Sequence, residues 1–293
     1  MVWFHFLRKK CQIGIKTNQT QYLPVLKKKF ESEGIDMSEC LLKIENLTRK
    51  FGGLTAVDSV NMYVNQGEII GLIGANGAGK TTVFNMISGS FRPTTGKIIF
   101  NNIEIEHKPA HLICRLGVGR TYQIVQPFTT LTVLENTIVG ALLKYPDVSA
   151  ARKKSIEILK LLDMEERRDV KGSNLSLPEL KRMEVARALA TEPKLLLLDE
   201  VMAGLNPTDS AEFVNIIRKI RDTGVTIILI EHVMKAVMSL SDRIYVLNQG
   251  KLISEGTPEH VSNDPVVIES YLGSRKIASE TIPNKEENVN AES

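Results

Sequence analysis

The run Gly74-Ala75-Asn76-Gly77-Ala78-Gly79-Lys80-Thr81 constrains this chain more than any other feature. It matches the glycine-rich phosphate-binding loop, the P-loop, at every specified position. Such a loop needs a strand before it and a helix after it, and the sequence supplies both. Glu68-Ile69-Ile70-Gly71-Leu72-Ile73 reads as a buried strand, and Thr82 to Ile87 as a helical run. Glycines let backbone N–H groups turn inward around a polyanion, and the helix N-terminus adds the positive end of its dipole. Gly74, Asn76, Gly77, Ala78 and Gly79 therefore form the expected cradle, continued by Lys80, Thr81 and Thr82. Lys80 is expected to reach the β- and γ-phosphates of a nucleotide, and the Thr81 hydroxyl to bind Mg²⁺.

Two further aliphatic runs, Leu195 to Leu198 and Val225 to Ile230, read as parallel strands covered on both faces. The first ends in Asp199-Glu200. A carboxylate at the C-terminal end of a parallel strand sits where open α/β sheets bind ligands. Asp199 is expected to hold Mg²⁺ through water, and Glu200 to orient and activate the attacking water. His232 follows the other strand, and a γ-phosphate contact is its expected role. His5, His107, His111 and His260 carry no such context.

Helices are expected between these strands. Thr132-x-x-Glu135 has capping-box spacing, and Leu134, Ile138 and Leu142 then repeat every four residues. Another helix is expected over Ala150 to Leu162, and another from near Ser176 to Ala190. A last one has Asp264 as its cap, Pro265 in its first turn and Gly273 as its stop. Strands alternating with helices argue for an α/β fold. The stretch from about 125 to 190 reads as a helical insert. The chain divides into an extension, 1–40, a main domain, 41–273, and a polar tail, 274–293, expected to be disordered.

Composition limits the partners. With a formal net charge of +3, the chain gives no reason to expect a nucleic-acid partner. Its three cysteines, Cys11, Cys40 and Cys114, fit neither a disulfide framework nor a zinc site, and suggest a reducing compartment. No apolar run approaches the roughly 18 residues that span a bilayer. Met1 to Leu7 reads poorly as a signal peptide, because its basic residues follow the apolar ones.

These motifs, in this order, closely resemble the ABC ATPase family over about residues 41–273. Phe51-Gly52-Gly53 looks like the aromatic loop whose ring stacks on adenine. Gln123, in Arg120-Thr121-Tyr122-Gln123, matches the glutamine loop, which contacts Mg²⁺ and water and senses a permease. Leu175-Ser176-Leu177-Pro178-Glu179 falls where the family's Leu-Ser-Gly-Gly-Gln signature belongs, and Gly204-Leu205-Asn206-Pro207 and His232 complete the order. The resemblance implies a P-loop NTPase (RecA-like) core with an antiparallel β-subdomain and an inserted α-helical subdomain. It implies ATP and Mg²⁺ as ligands, with catalytic Glu200, His232 and Gln123, and Thr81, Gln123 and Asp199 around the metal. It also implies membrane permease subunits and a second ABC ATPase subunit, identical or related, as partners, at the cytoplasmic face of the inner membrane.

Finer matches are similar to the group serving branched-chain amino-acid permeases, where a substrate-binding protein acts indirectly. They are Phe51-Gly52-Gly53-Leu54-Thr55-Ala56-Val57, Arg120-Thr121-Tyr122-Gln123, and the ending Glu269-Ser270-Tyr271-Leu272-Gly273. The alternatives are another transported substrate (urea, amides or an exported lipid) and a non-transport, nucleotide-sensing ABC protein.

The signature departs from the family. Ser176 is kept, but Pro178 has no N–H, so one anion donor is missing, at a cost of about 1.5–3 kcal/mol. Ser176-x-x-Glu179 still has capping-box spacing, so a sound helix with a weakened contact across the dimer is expected. Val201 after Asp-Glu and Asn206 are milder departures. Residues 1–36, upstream of Met37, fit a mis-assigned start or flexible arm. The rival is a basic, aromatic arm (Trp3, Phe4, Phe6, Arg8) against a membrane or permease.

Overall fold

The computed structural model describes residues 40–270. The extension 1–36, the polar tail and the Gly273 helix stop lie outside the described residues. Ten strands and eight α-helices with both ends in the described part arrange around two sheets, and a further helical stretch runs over residues 265–270. In chain order the strands are β1 (Cys40–Phe51), β2 (Leu54–Asn65), β3 (Ile69–Ile73), β4 (Thr95–Phe100), β5 (Ile103–Glu104), β6 (Val118–Arg120), β7 (Leu195–Asp199), β8 (Thr226–Ile230), β9 (Arg243–Asn248) and β10 (Lys251–Gly256). The helices are α1 (Lys80–Ile87), α2 (Ala110–Leu116), α3 (Val133–Ala141), α4 (Val148–Leu161), α5 (Leu177–Leu189), α6 (Pro207–Asp222), α7 (Met234–Leu240) and α8 (Pro258–Asn263).

The larger sheet has the order β10-β9-β3-β8-β7-β6 and is parallel except at β10. Its central strands are buried on both faces, which is why they read as unbroken aliphatic runs. Side chains alternate between two cores. Ile70, Leu72, Leu195, Leu197, Ile228 and Ile230 join Val83 and Phe84 of α1 and residues of the smaller sheet. Ile69, Ile73, Leu196, Leu198, Ile227 and Leu229 join Met183 of α5, Phe213 of α6 and Val237 of α7. Each fully buried Leu or Ile contributes about 1.5–3 kcal/mol of transfer free energy, so a one-residue slip in β3, β7 or β8 would exchange both cores.

The smaller sheet, β2-β1-β4-β5, is antiparallel where β1, β4 and β5 pair. Its edge hairpin turns on Asn101-Asn102, both left-handed at φ 47° and 62°. Asparagine tolerates that conformation, and a two-residue hairpin loop needs it. In β1 a register shift between Glu45 and Thr48 accompanies Asn46 at φ 47°, so Leu42, Ile44 and Leu47 do not keep a period of two.

Between β6 and β7 the chain is irregular as far as Thr132 and then helical. α3 starts at a complete capping box: Thr132 N–H donates to Glu135 Oε2 at 2.8 Å, and Glu135 N–H donates to Thr132 Oγ1 at 3.2 Å. α4 begins at Val148, two residues before the expected Ala150. Asp147 is the reason: its carboxylate accepts the Ala150 N–H at 2.8 Å and makes it the cap. α5 has Ser176 as its N-cap, with Pro178 in the first turn. After Asp264, whose Oδ1 accepts the Val266 N–H at 2.9 Å, residues 265–270 are helical.

Candidate active site

The loop from β3 into α1 is pressed against its surroundings. Gly74 sits at φ 150°, and a Cβ there would lie 2.1 Å from the Leu247 carbonyl oxygen. Gly79 sits at φ 105°, and its Cβ would lie 2.5 Å from the Ala56 carbonyl oxygen. Neither position admits a side chain. Lys80 opens α1 and is 6% exposed, and its ammonium donates to the Gly74 and Ala75 carbonyls at 2.7 and 3.0 Å. Burial lowers its pKa, against the opposing pull of the Glu200 and Asp199 carboxylates. Asn76, Gly77, Ala78, Gly79, Lys80, Thr81 and Thr82 line one wall of a cleft of about 460 Å³; Gln123, Glu200 and His232 line it too.

Strand β8 lies between β3 and β7, and Asp199 is in register with Ile230. The ends of β7 and β8 thus carry Glu200 and His232 to the same place. Glu200 holds a left-handed backbone at φ 51°, and its N–H donates to the Ile230 carbonyl at 2.9 Å. For a residue with a side chain this conformation costs on the order of 1–3 kcal/mol and persists where the surroundings fix it. Its carboxylate is held from two sides: Gln123 Nε2 donates to Oε2 at 2.8 Å, and His232 Nε2 lies 2.9 Å from Oε1.

Asp199 is 1% exposed. Its Oδ2 accepts from Arg120 Nη2 at 3.0 Å, while Oδ1 is buried without a hydrogen-bond partner among the described residues. Burial pushes the carboxyl up, and the Arg120 guanidinium opposes this. Arg120 Nη1 also donates to Asn85 Oδ1 at 2.7 Å and to Ser88 Oγ at 2.9 Å, both in or just after α1. Beside His232, Glu231 is 3% exposed; its Oε1 accepts the Met202 N–H at 2.8 Å, and burial pushes its carboxyl up to about 7.

Four expected residues are not among this cleft's lining: Gly74, whose carbonyl accepts from Lys80, Asp199, buried at the end of β7, and Phe51 and Ser176. Phe51, at the end of β1, meets Phe91 edge-on with centroids 5.7 Å apart, and the Arg49 guanidinium lies 4.5 Å from its ring centroid. Ser176 lines a second depression with Pro178 and Glu179. Its N–H and hydroxyl both donate to Glu179 Oε2, at 2.8 and 2.9 Å, and Arg167 Nε lies 2.6 Å from Glu179 Oε1. Partial burial of Glu179 is outweighed by these hydrogen bonds, which hold its carboxyl below the usual range. An ionised carboxylate therefore stands beside Ser176.

Sequence reasoning passed over Arg120, Lys181, Glu184 and Glu231. Lys181 and Glu184 are 3% and 2% exposed on α5. The available signal was their spacing: positions 181, 184 and 188 share one helical face with apolar neighbours, so two charges fall on a core stripe. Nothing local marks the Arg120–Asp199 pair, whose partners are 79 residues apart.

The family model described as ABC transporter matches residues 57–203, and that of the branched-chain amino acid ATP-binding cassette transporter matches residues 251–277. The chain is 42% identical over 253 residues to the high-affinity branched-chain amino acid transport ATP-binding protein LivG of Escherichia coli strain K12, covering 81% of this chain and 99% of that one. It is 40% identical over 253 residues to the corresponding protein BraF of Pseudomonas aeruginosa, with the same coverage. Among solved structures, the ADP conformation of MJ1267, an ATP-binding cassette of an ABC transporter, superposes with a TM-score of 0.73 at 32% identity, covering 80% of this chain and 99% of that one.

Proposed function

The chain belongs to the ABC transporter family as an ATP-hydrolysing subunit of its branched-chain amino acid group, and from that premise we propose that it powers uptake of branched-chain amino acids through a separate membrane permease. The observation that carries the catalytic part is the Glu200 carboxylate, held between Gln123 and His232 at 2.8 and 2.9 Å across the cleft from the P-loop. ATP lies with its phosphates along Asn76 to Thr82. Lys80 leaves its loop carbonyls for the β- and γ-phosphates. Glu200 orients a water toward the γ-phosphorus and takes its proton as the P–O bond to ADP breaks. Gln123 and His232 fix the carboxylate, and His232 also contacts the γ-phosphate. The Phe51 ring, 40% exposed, offers a face to adenine.

Mg²⁺ fits the donors present. It prefers a few oxygen ligands from the protein beside phosphate and water. The Thr81 hydroxyl and the Gln123 amide oxygen, whose residues line the cleft, would supply them, and the unpartnered Asp199 Oδ1 would hold the ion through water. The ion neutralises charge on the phosphates.

Among the described residues no helix is long and apolar enough to cross a membrane. The reading places the chain peripherally, on the cytoplasmic face of the inner membrane. Residues 41–273 form the ATPase domain, and the helical part, 125–190, relays dimer closure to the permease. A second ABC ATPase subunit, identical or related, supplies the opposing signature, and Ser176 reaches the nucleotide held by that partner. A substrate-binding protein delivers the amino acid to the permease.

The test is ATP hydrolysis and leucine uptake by the complex reconstituted in vesicles, with wild type and Glu200→Gln. Hydrolysis and uptake that both vanish in Glu200→Gln are expected. Hydrolysis that survives the substitution overturns the base assignment; hydrolysis indifferent to leucine and its binding protein overturns the substrate.

A further inference from the structure

Three charged side chains of α5 have no role in the reaction above. Lys181, Glu184 and Arg187 are spaced three residues apart, so neighbouring members share a helical face. All three grip the main chain of one segment. Lys181 Nζ donates to the Gln123 carbonyl at 3.3 Å, Glu184 Oε1 accepts the Tyr122 N–H at 2.9 Å, and Arg187 Nη1 donates to the Gln126 carbonyl at 2.9 Å. Lys181 has a second acceptor, the Glu200 carbonyl, at 3.2 Å.

We propose that Lys181 is a positioning residue for hydrolysis. It ties the carbonyls of Gln123 and Glu200 to the start of α5, so that the tilt of this helix sets where the Gln123 amide and the Glu200 carboxylate stand. The inference rests on the assignment of Glu200 as the base. Two observations carry it. First, the contacts close a ring: α5 holds Gln123 and Glu200 through Lys181, and Gln123 Nε2 holds the Glu200 carboxylate at 2.8 Å. A shift of α5 moves both residues together. Second, Glu200 keeps a left-handed backbone, which needs outside support; its N–H is fixed by Ile230, and its carbonyl accepts from the Ala203 N–H and from Lys181, both at 3.2 Å, Lys181 being the side chain that links it to α5. Stability alone is a poor reason for the lysine, since an apolar side chain of its size packs in a buried place without the desolvation of an ammonium. Ser176 caps α5, so the segment proposed to face the partner subunit shares a helix with all three side chains, of which Lys181 is the one that reaches both Gln123 and Glu200.

The experiment compares wild type, Lys181→Met, Lys181→Arg and Glu200→Gln as full-length chains in the reconstituted complex. Lys181→Met is expected to lower kcat about ten- to a hundredfold, the effect of one charge-assisted hydrogen bond, while KM and the affinity for a fluorescent ATP analogue stay within about threefold. Lys181→Arg keeps a donor and is expected to retain about a third of kcat or more. Hydrogen exchange of the isolated full-length chain is expected to speed up about tenfold at residues 122–126 and 200 in Lys181→Met, with 183–189 unchanged. Unchanged kcat, or protection lost throughout α5 with KM and kcat moving together, overturns the proposal. Glu200→Gln separates the two readings: if it hydrolyses normally, the base assignment fails and takes this inference with it. If it is dead while Lys181→Met is fully active, Lys181 alone is removed. Should Lys181→Met not fold, Arg187→Met cuts the same clamp at its more exposed end. Faster exchange at residue 126 and a kcat reduced about threefold are then expected, and wild-type values for both overturn the clamp.

Discussion

The edge of this chain that carries the P-loop and the edge that carries Ser176 are built differently. The P-loop edge is over-determined. Two glycines are locked by close backbone approach, Lys80 is held by two carbonyls, and Glu200 is held by Gln123, His232 and Lys181. The signature edge is sparse. Pro178 brings no N–H, Leu177 is 43% exposed, and the carboxylate of Glu179 occupies both the N–H and the hydroxyl of Ser176. The contacts of the first edge gather charged side chains around an open cleft; those of the second complete a helix. On the proposed function, a dimer of such chains would have two nucleotide sites limited by their signature halves, and a related partner with a richer signature would restore one of them.

The largest effect expected is at the first edge. Glu200→Gln should reduce hydrolysis about 10²- to 10⁴-fold, with nucleotide affinity kept, measured as phosphate release beside equilibrium binding. A milder loss would mean that the first edge is less specialised than its contacts imply. Next comes Glu231, the buried acid behind His232. Its carboxyl stands at about 7 in the fold against the ordinary 4.5. Between these values the folded state binds more protons than the unfolded, so stability falls as pH rises from about 4.5 to 7, by at most about 3 kcal/mol. Glu231→Gln keeps an oxygen for the Met202 N–H and should flatten that slope and raise the melting temperature at pH 8. A variant as pH-sensitive as wild type would assign the slope elsewhere.

Smaller effects are expected at the second edge. Pro178→Gly with Glu179→Gln restores an anion donor and removes a negative charge, and should tighten nucleotide-driven dimerisation about tenfold, seen by sedimentation of an inactive Glu200→Gln background. No gain would show that the sparse edge is already adequate. Smallest is Ser176→Ala, which loses the capping box and about 1 kcal/mol of stability, read by chemical denaturation. A loss of hydrolysis beyond about tenfold in that variant would show that Ser176 grips phosphate strongly, and the contrast between the edges would collapse.

What could be read ahead of the structure divides along the same line. The P-loop, Asp199, Glu200 and His232 announce themselves because each is tied to the end of an aliphatic strand, and strand, turn and helix are contiguous in the chain. The helix caps at Thr132 and Ser176 were legible because a cap is a local hydrogen-bond pattern. The long strands β1 and β2 were not legible from alternation, since the shift at Asn46 breaks the period that would reveal β1, and only the family resemblance implied their sheet. The Arg120–Asp199 pair and the Lys181 clamp are tertiary, joining residues 79 and 19 positions apart, and no local spacing encodes them. Asp147 was missed as the cap of α4 because the apolar pattern there starts weakly and the cap fixes the boundary.

Because β8 separates β3 from β7, the strand that launches the phosphate loop and the strand that launches Glu200 lie two strand spacings apart, roughly 9.6 Å. The sheet acts as a ruler with one rung left between two marks, and that rung leaves room for the cleft of about 460 Å³ that both the P-loop and Glu200 line. Direct pairing of β3 with β7 would bring the lysine and the glutamate near enough to neutralise each other. The chain would then be an ion pair at rest instead of a machine waiting for a nucleotide.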